Sequence, residues 1–192
     1  DIQTLDDLSG HTVSIGAEES GTERNATQIL EFAGMPSSLV ATKNLDYIEA
    51  TKELKAGDID AFFCTAGLTT TVIDELSKEC DIRLIPLTDT VISKMLESSS
   101  AYTSELIPAG TYTGQTTDIS TIGVKSVLIT KSDVSDDTIE QLTSLLFEKE
   151  NELSYSNSLK LELTYDFATG DIPIPFHKGA KRYYEDCGYS AN

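Results

Sequence analysis

The stretch Val13-Ser14-Ile15-Gly16-Ala17-Glu18-Glu19-Ser20-Gly21-Thr22-Glu23-Arg24-Asn25 constrains this chain more than any other. Val13 and Ile15 alternate with polar residues, as on a half-buried strand. Gly16 and Gly21 punctuate a loop that permits close backbone approach. Ala26, Ile29, Leu30 and Ala33 then recur at the spacing of an apolar helix stripe, and Gly34 stands where a helix-ending glycine belongs. Ser20 and Glu23 have capping-box spacing. A helix start exposes backbone N–H groups and carries partial positive charge. Such a start after a strand can hold an anion, with Ser20 and Thr22 adding hydroxyls. An ordinary capped helix would read the same way locally. A P-loop would not: Gly16 and Gly21 have the right separation, but Thr22 stands where the phosphate-binding lysine is needed. The glycines also lack the spacing of a dinucleotide fingerprint.

The strand–helix rhythm continues. Leu39-Val40-Ala41 predicts a short strand. Asp46 caps a helix with Ile48 and Leu54 on one face and Gly57 at its end. Ala61-Phe62-Phe63-Cys64 is a continuous apolar run, as expected of a strand buried on both faces, and it stops at Thr65-Ala66-Gly67. A helix with Val72, Ile73 and Leu76 inward follows, then a strand over residues 82–87 and a helix over 88–97. This alternation predicts an α/β fold with a parallel sheet covered by helices. Ligands of such sheets bind at the carboxyl ends of strands, where Ser20-Gly21-Thr22 and Thr65-Ala66-Gly67 both fall.

After residue 100 the pattern changes. Residues 102–107 predict a strand, 108–114 a turn-rich loop, and 121–130 a long strand. Asp136 starts a helix with Ile139, Leu142, Leu145, Leu146 and Leu153 apolar. Residues 155–167 are ambiguous and are read as helix, 172–175 as extended around two prolines, and 177–187 as a last helix.

Charge narrows the partners. The net charge is −18, from 14 basic and 32 acidic residues. That opposes nucleic-acid binding and adsorption to an anionic membrane, but not a small anion in a locally positive pocket. No apolar run is long enough to span a bilayer. The spacing of Cys64, Cys80 and Cys187 fits no zinc site, and no cluster of ligands suggests any other metal. Neither His11 nor His177 pairs in sequence with a nucleophile, and no G-x-S-x-G motif occurs. The sequon Asn25-Ala26-Thr27 falls inside the first helix and reads as chance. Arg83 in an apolar run is either a carboxylate clamp or one half of an ion pair at a strand edge.

Four ordered blocks resemble one family. They are Asp7-Leu8-Ser9-Gly10 through Gly21-Thr22, Gly57-Asp58-Ile59-Asp60-Ala61-Phe62-Phe63-Cys64-Thr65-Ala66-Gly67, Ile107-Pro108-Ala109-Gly110-Thr111-Tyr112, and Ile174-Pro175-Phe176-His177-Lys178-Gly179-Ala180 through Tyr184. Together they resemble the TAXI solute receptors of tripartite ATP-independent periplasmic (TRAP) transporters. Three positions depart from that pattern: Glu19 replaces a small residue, usually glycine, His11 replaces lysine, and Lys178 replaces proline.

The resemblance implies a periplasmic-binding-protein type II-like fold. Residues 8–118 would form the second lobe. Residues 119–192 would supply a hinge strand and returning elements of the first lobe, whose N-terminal part would be absent. It implies a periplasmic or extracellular receptor, lipid-anchored or free in its full-length form, that is not an enzyme. The ligand would be a small carboxylate such as glutamate or a related dicarboxylate. Ser20, Gly21 and Thr22 would hold its anionic group, with Asn25, Thr65, Gly67 and Tyr112 in support. Membrane permease subunits would be the protein partners, with no cofactor, no nucleic acid and no direct membrane insertion. Two rivals from other classes are an α/β enzyme acting on a phosphorylated small molecule and a ligand-sensing module of a signalling protein.

Overall fold

The short strand β1 (Thr12–Ser14) is the centre of the sheet. It pairs in parallel with β2 (Ala41–Lys43) on one side and β3 (Ala61–Phe62) on the other, giving the order β2-β1-β3. Val13 lies opposite Thr42 and Ala61. Parallel neighbours need crossovers. Here these are α1 (Gly21–Phe32) and α2 (Tyr47–Ala56). The order places the topological switch at β1, so the loop leaving its carboxyl end occupies the position where α/β sheets bind ligands.

In this computed structural model residues 2–148 and 163–191 are described. The chain divides into two compact units, Asp1–Gly123 and Val124–Asn192.

The core of the first unit lies where α1 and α4 (Asp89–Ser98) cover β1. Ala26, Ile29 and Leu30 of α1 meet Val91, Ile92 and Met95 of α4 over Val13 and Ile15. The apolar stripe read from the sequence is the buried face. Helix α1 ends as its glycine predicts: Gly34 is left-handed, with φ 74°. The N–H of Met35 reaches the Leu30 carbonyl at 2.8 Å, and that of Gly34 the Glu31 carbonyl at 3.0 Å. Helix α2 begins with a complete capping box between Asp46 and Glu49 and ends at left-handed Gly57.

Several expectations need correction. The second strand starts at Ala41, because Leu39 belongs to a turn. Ile48 points to solvent, 77% exposed, while Ala50 is the buried residue of α2. Residues 61–64 are half-buried rather than enclosed on both faces, and the ladder stops at Phe62. Residues 82–87 join no ladder; Leu87 N–H instead donates to the Ser120 carbonyl at 2.9 Å. Helix α3 (Thr71–Glu79) buries Ile73, Leu76 and Ser77. Strands β4 (Tyr102–Ile107) and β5 (Ile119–Val124) form a separate two-stranded sheet. The predicted long strand therefore ends at Val124. Beyond it, Val127, Leu128 and Ile129 are exposed and unladdered. In each case the apolar run is real, but a strand exists only where a partner offers hydrogen bonds.

The second unit contains α5 (Asp136–Glu148), α6 (Tyr165–Thr169) and α7 (Lys178–Asp186). Rings carry its packing. Phe147 stacks on Tyr165 with centroids 4.4 Å apart, and Tyr165 stacks on Tyr189 at 4.8 Å. Tyr184 meets Phe147 and Phe176 edge-on. Arg182 of α7 clamps Asp137 and Glu140 of α5, which raises the affinity of its guanidinium for the proton. Gly179 is forced by contact, since a Cβ there would lie 2.1 Å from the Asp136 carbonyl oxygen. Leu153 and most of residues 155–167 lie outside the described residues.

Candidate functional site

Gly16 shapes the loop between β1 and α1. Its φ is 101°, and a Cβ would come within 2.7 Å of Thr22 Cβ and 3.0 Å of Ser20 Oγ. Only glycine lets the loop close onto the helix start. Ser20 is the N-cap of α1, and its Oγ accepts the Glu23 N–H at 3.1 Å. Half of the predicted capping box forms. The other half does not, because the Ser20 N–H donates to the Ala17 carbonyl. The Glu23 carboxylate turns back instead to the Glu19 N–H at 2.6 Å and the Asn44 side-chain amide at 2.7 Å. Asn44 also donates to the Gly16 carbonyl at 3.1 Å, so the loop is held from the residue after β2 as well.

The helix start keeps unused donors. Among the described residues, the N–H groups of Gly21 and Thr22 have no protein acceptor, as expected for the first turn of a helix. Gly21 is exposed and Thr22 is buried. The Thr22 hydroxyl lies 2.8 Å from the Tyr47 hydroxyl. Tyr47 accepts the Thr65 N–H at 3.0 Å and donates to the Thr65 carbonyl at 2.9 Å. Having given its one proton to Thr65, Tyr47 takes the proton of Thr22. Asn25, one turn into α1, donates to Thr65 Oγ1 at 3.3 Å and accepts from the Tyr102 hydroxyl at 2.9 Å. Tyr102 reaches Gln28 too, at 3.0 Å.

Ser20, Gly21, Thr22, Asn25 and Thr65, singled out from sequence, thus meet at the carboxyl ends of β1 and β3. Thr65 is exposed, and its hydroxyl retains a proton to donate, as does that of Ser20. Gly67 lies exposed in the loop after β3. Tyr112 is buried on the loop after β4, near Cys64 and the Thr69–Thr70 backbone, and makes no hydrogen bond to Ser20, Gly21, Thr22, Asn25 or Thr65 among the described residues. Burial pushes its phenol upward against backbone hydrogen bonds from Thr70 and Thr69. Cys64 shifts upward for the same reason, opposed by Tyr47, so it is a poor thiolate.

Sequence reasoning missed Tyr47, Tyr102 and Asn44. Tyr47 follows the Asp46 cap directly, so the only signal for it is its place at the start of α2, facing the β3 end. Arg83 is exposed and makes no ion pair among the described residues, so the expected ion pair at a strand edge does not form. His11 pairs with Asp60 at 3.1 Å, and Asp60 also accepts the Thr12 N–H at 2.8 Å. The backbone hydrogen bond, followed by His11, holds the Asp60 carboxyl below the usual range. No group of three or more His, Cys, Asp or Glu could hold a metal ion among the described residues. None of their helices is long and apolar enough to cross a membrane.

Compared with known protein families, the chain matches the model of the NMT1-like family over residues 1–188.

Proposed function

Because the chain belongs to the NMT1-like family, a solute-binding family with a periplasmic-binding-protein type of fold, we propose that it binds a small carboxylate at the start of α1. The observation that carries this reading is the pair of unused N–H groups at Gly21 and Thr22, beside the hydroxyls of Ser20 and Thr65. A carboxylate is acceptor-only, and a helix start offers what it lacks in a protein of net charge −18. Glutamate or a related amino acid or dicarboxylate fits this donor set. The reading is of a receptor, not an enzyme: the Thr22 hydroxyl is held by Tyr47, and Ser20 Oγ serves as a helix cap.

The four TAXI-like blocks support a finer assignment. The chain is part of an extracytoplasmic receptor of a TRAP-type transporter, free or lipid-anchored, which passes its ligand to membrane permease subunits.

Gly21→Pro tests the site. Proline suits the first helical position and removes the Gly21 N–H. Ser20, at φ −77° and ψ 160°, already has the conformation a following proline requires. Gly21→Ala keeps the N–H and meets open space. Calorimetry with glutamate and succinate should show about tenfold weaker binding for the proline variant, the worth of one charge-assisted hydrogen bond. The alanine variant should match the parent. Equal affinities for both variants would overturn the reading.

A further inference from the structure

We propose that the groove between residues 82–86 and the loop after Tyr112 is a second carboxylate-binding site, with the Arg83 guanidinium as its cation. The groove has a volume of about 490 Å³ and lies wholly within the first unit. That size suits a small-molecule ligand. Arg83 lines it and makes no ion pair among the described residues. Asp81 is two positions away and Asp118 lines the same groove, yet neither pairs with Arg83. In a chain with 32 acidic residues, a guanidinium left open in a groove is available to an external anion.

The walls are preformed. Gln115 ties the loop together: its amide nitrogen donates to the carbonyls of Ile107, Pro108 and Thr117, and its Oε1 accepts the Tyr112 N–H. Asp118 Oδ1 accepts the Ala109 N–H at 2.8 Å. The opposite wall is fixed by the bond from Leu87 N–H to Ser120. Thr113, Thr116 and Thr117 line the groove, and their hydroxyls form no hydrogen bond among the described residues. A cation with hydroxyl donors around it recognises an anion. The carboxylate of Asp118 in the wall repels concentrated negative charge, favouring a dicarboxylate such as succinate, which presents one singly charged group and keeps its second charge farther off, over a phosphate dianion.

This site stands independently of the one at α1, and the two can be separated in one experiment. The ¹⁵N-labelled 192-residue chain is titrated with succinate, then with inorganic phosphate, at constant ionic strength and followed by NMR. Succinate should move the Arg83 Nε–Hε signal and the amides of Thr113 and Gln115 in a saturable way. Those shifts should persist in Gly21→Pro. Arg83→Gln, at an exposed position, should abolish the amide shifts without changing the melting temperature. Asp118→Asn keeps an oxygen for the Ala109 N–H and removes the like charge, so it should tighten binding by about threefold. Phosphate should bind more weakly than succinate. Shifts of the same size in Arg83→Gln and the parent chain would overturn the proposal, as would shifts that do not saturate or tighter binding of phosphate.

Discussion

The two units carry apolar helices of the same pattern and treat them differently. In the first, the stripes of α1 and α4 close over β1 until Met95 is 0% exposed. In the second, α5 buries Ile139 and Thr143, but Leu142 and Leu145 remain 40% and 48% exposed. The first unit offers its helices a sheet face. Among its described residues, the second offers a stack of rings, Phe147 on Tyr165 on Tyr189. Periodicity marks the face a helix can bury; burial itself needs an opposing surface of matching extent.

That contrast can be broken most strongly in the cores. Met95→Ala removes a fully enclosed side chain and should cost about 3 kcal/mol in chemical denaturation. Leu145→Ala removes a half-exposed one and should cost about 0.5 kcal/mol. Equal costs would mean that α5 is covered as well as α4.

A smaller effect comes from the network that ties α1, α2 and β3. Tyr47→Phe leaves the Thr65 N–H and carbonyl and the Thr22 hydroxyl without their partner. Unfolding of the first unit should become easier by about 2 kcal/mol. The ring resonances of Tyr165 and Tyr189 should stay in place, because their stack belongs to the second unit. Movement of those resonances would show that the two regions are not separable in this way.

Asp60 gives the first unit a pH dependence. Its folded pKa is depressed, so its contribution is present above the unfolded value, about 4, and is lost as pH falls through the lower folded value. The side chain is 42% exposed, so solvent screening limits the contribution to about 1 kcal/mol. Asp60→Asn should lower stability at pH 6 by that amount and flatten the acid limb of a stability–pH curve. An unchanged acid limb would remove Asp60 from the account.

The smallest effect concerns Glu19, which sits at φ 61°, in the left-handed region. This is the position where the resembled family has a small residue. Left-handed backbone costs a non-glycine residue about 1 kcal/mol, partly offset by the entropy of a glycine. Glu19→Gly should therefore raise stability by about 0.5 kcal/mol, read as a small increase in the denaturation midpoint.

Legibility followed the range of the interactions. Helix α1 was readable end to end, because Ser20, the stripe from Ala26 to Ala33 and Gly34 act within a few residues of each other. The placement of Ser20, Gly21 and Thr22 at the start of that helix is legible for the same reason. Strand limits were not: residues 82–87 and 125–130 have strand composition, but their pairing depends on distant chain. The Glu23 carboxylate followed no local rule either. Its spacing predicts a bond to Ser20, whereas Asn44, just after β2, and the left-handed Glu19 draw it onto the loop. Tyr47 joins residues from three elements, and no local spacing announces it.

The central claim is that the unused amides of Gly21 and Thr22 receive a carboxylate. Their ¹H–¹⁵N signals report it directly. On titration with glutamate, both amide protons should shift downfield in a saturable way, with Thr65 following and the ring-stack residues of the second unit unmoved. If Gly21 and Thr22 stay in place while other signals saturate, the ligand binds elsewhere and the account of the α1 start is wrong.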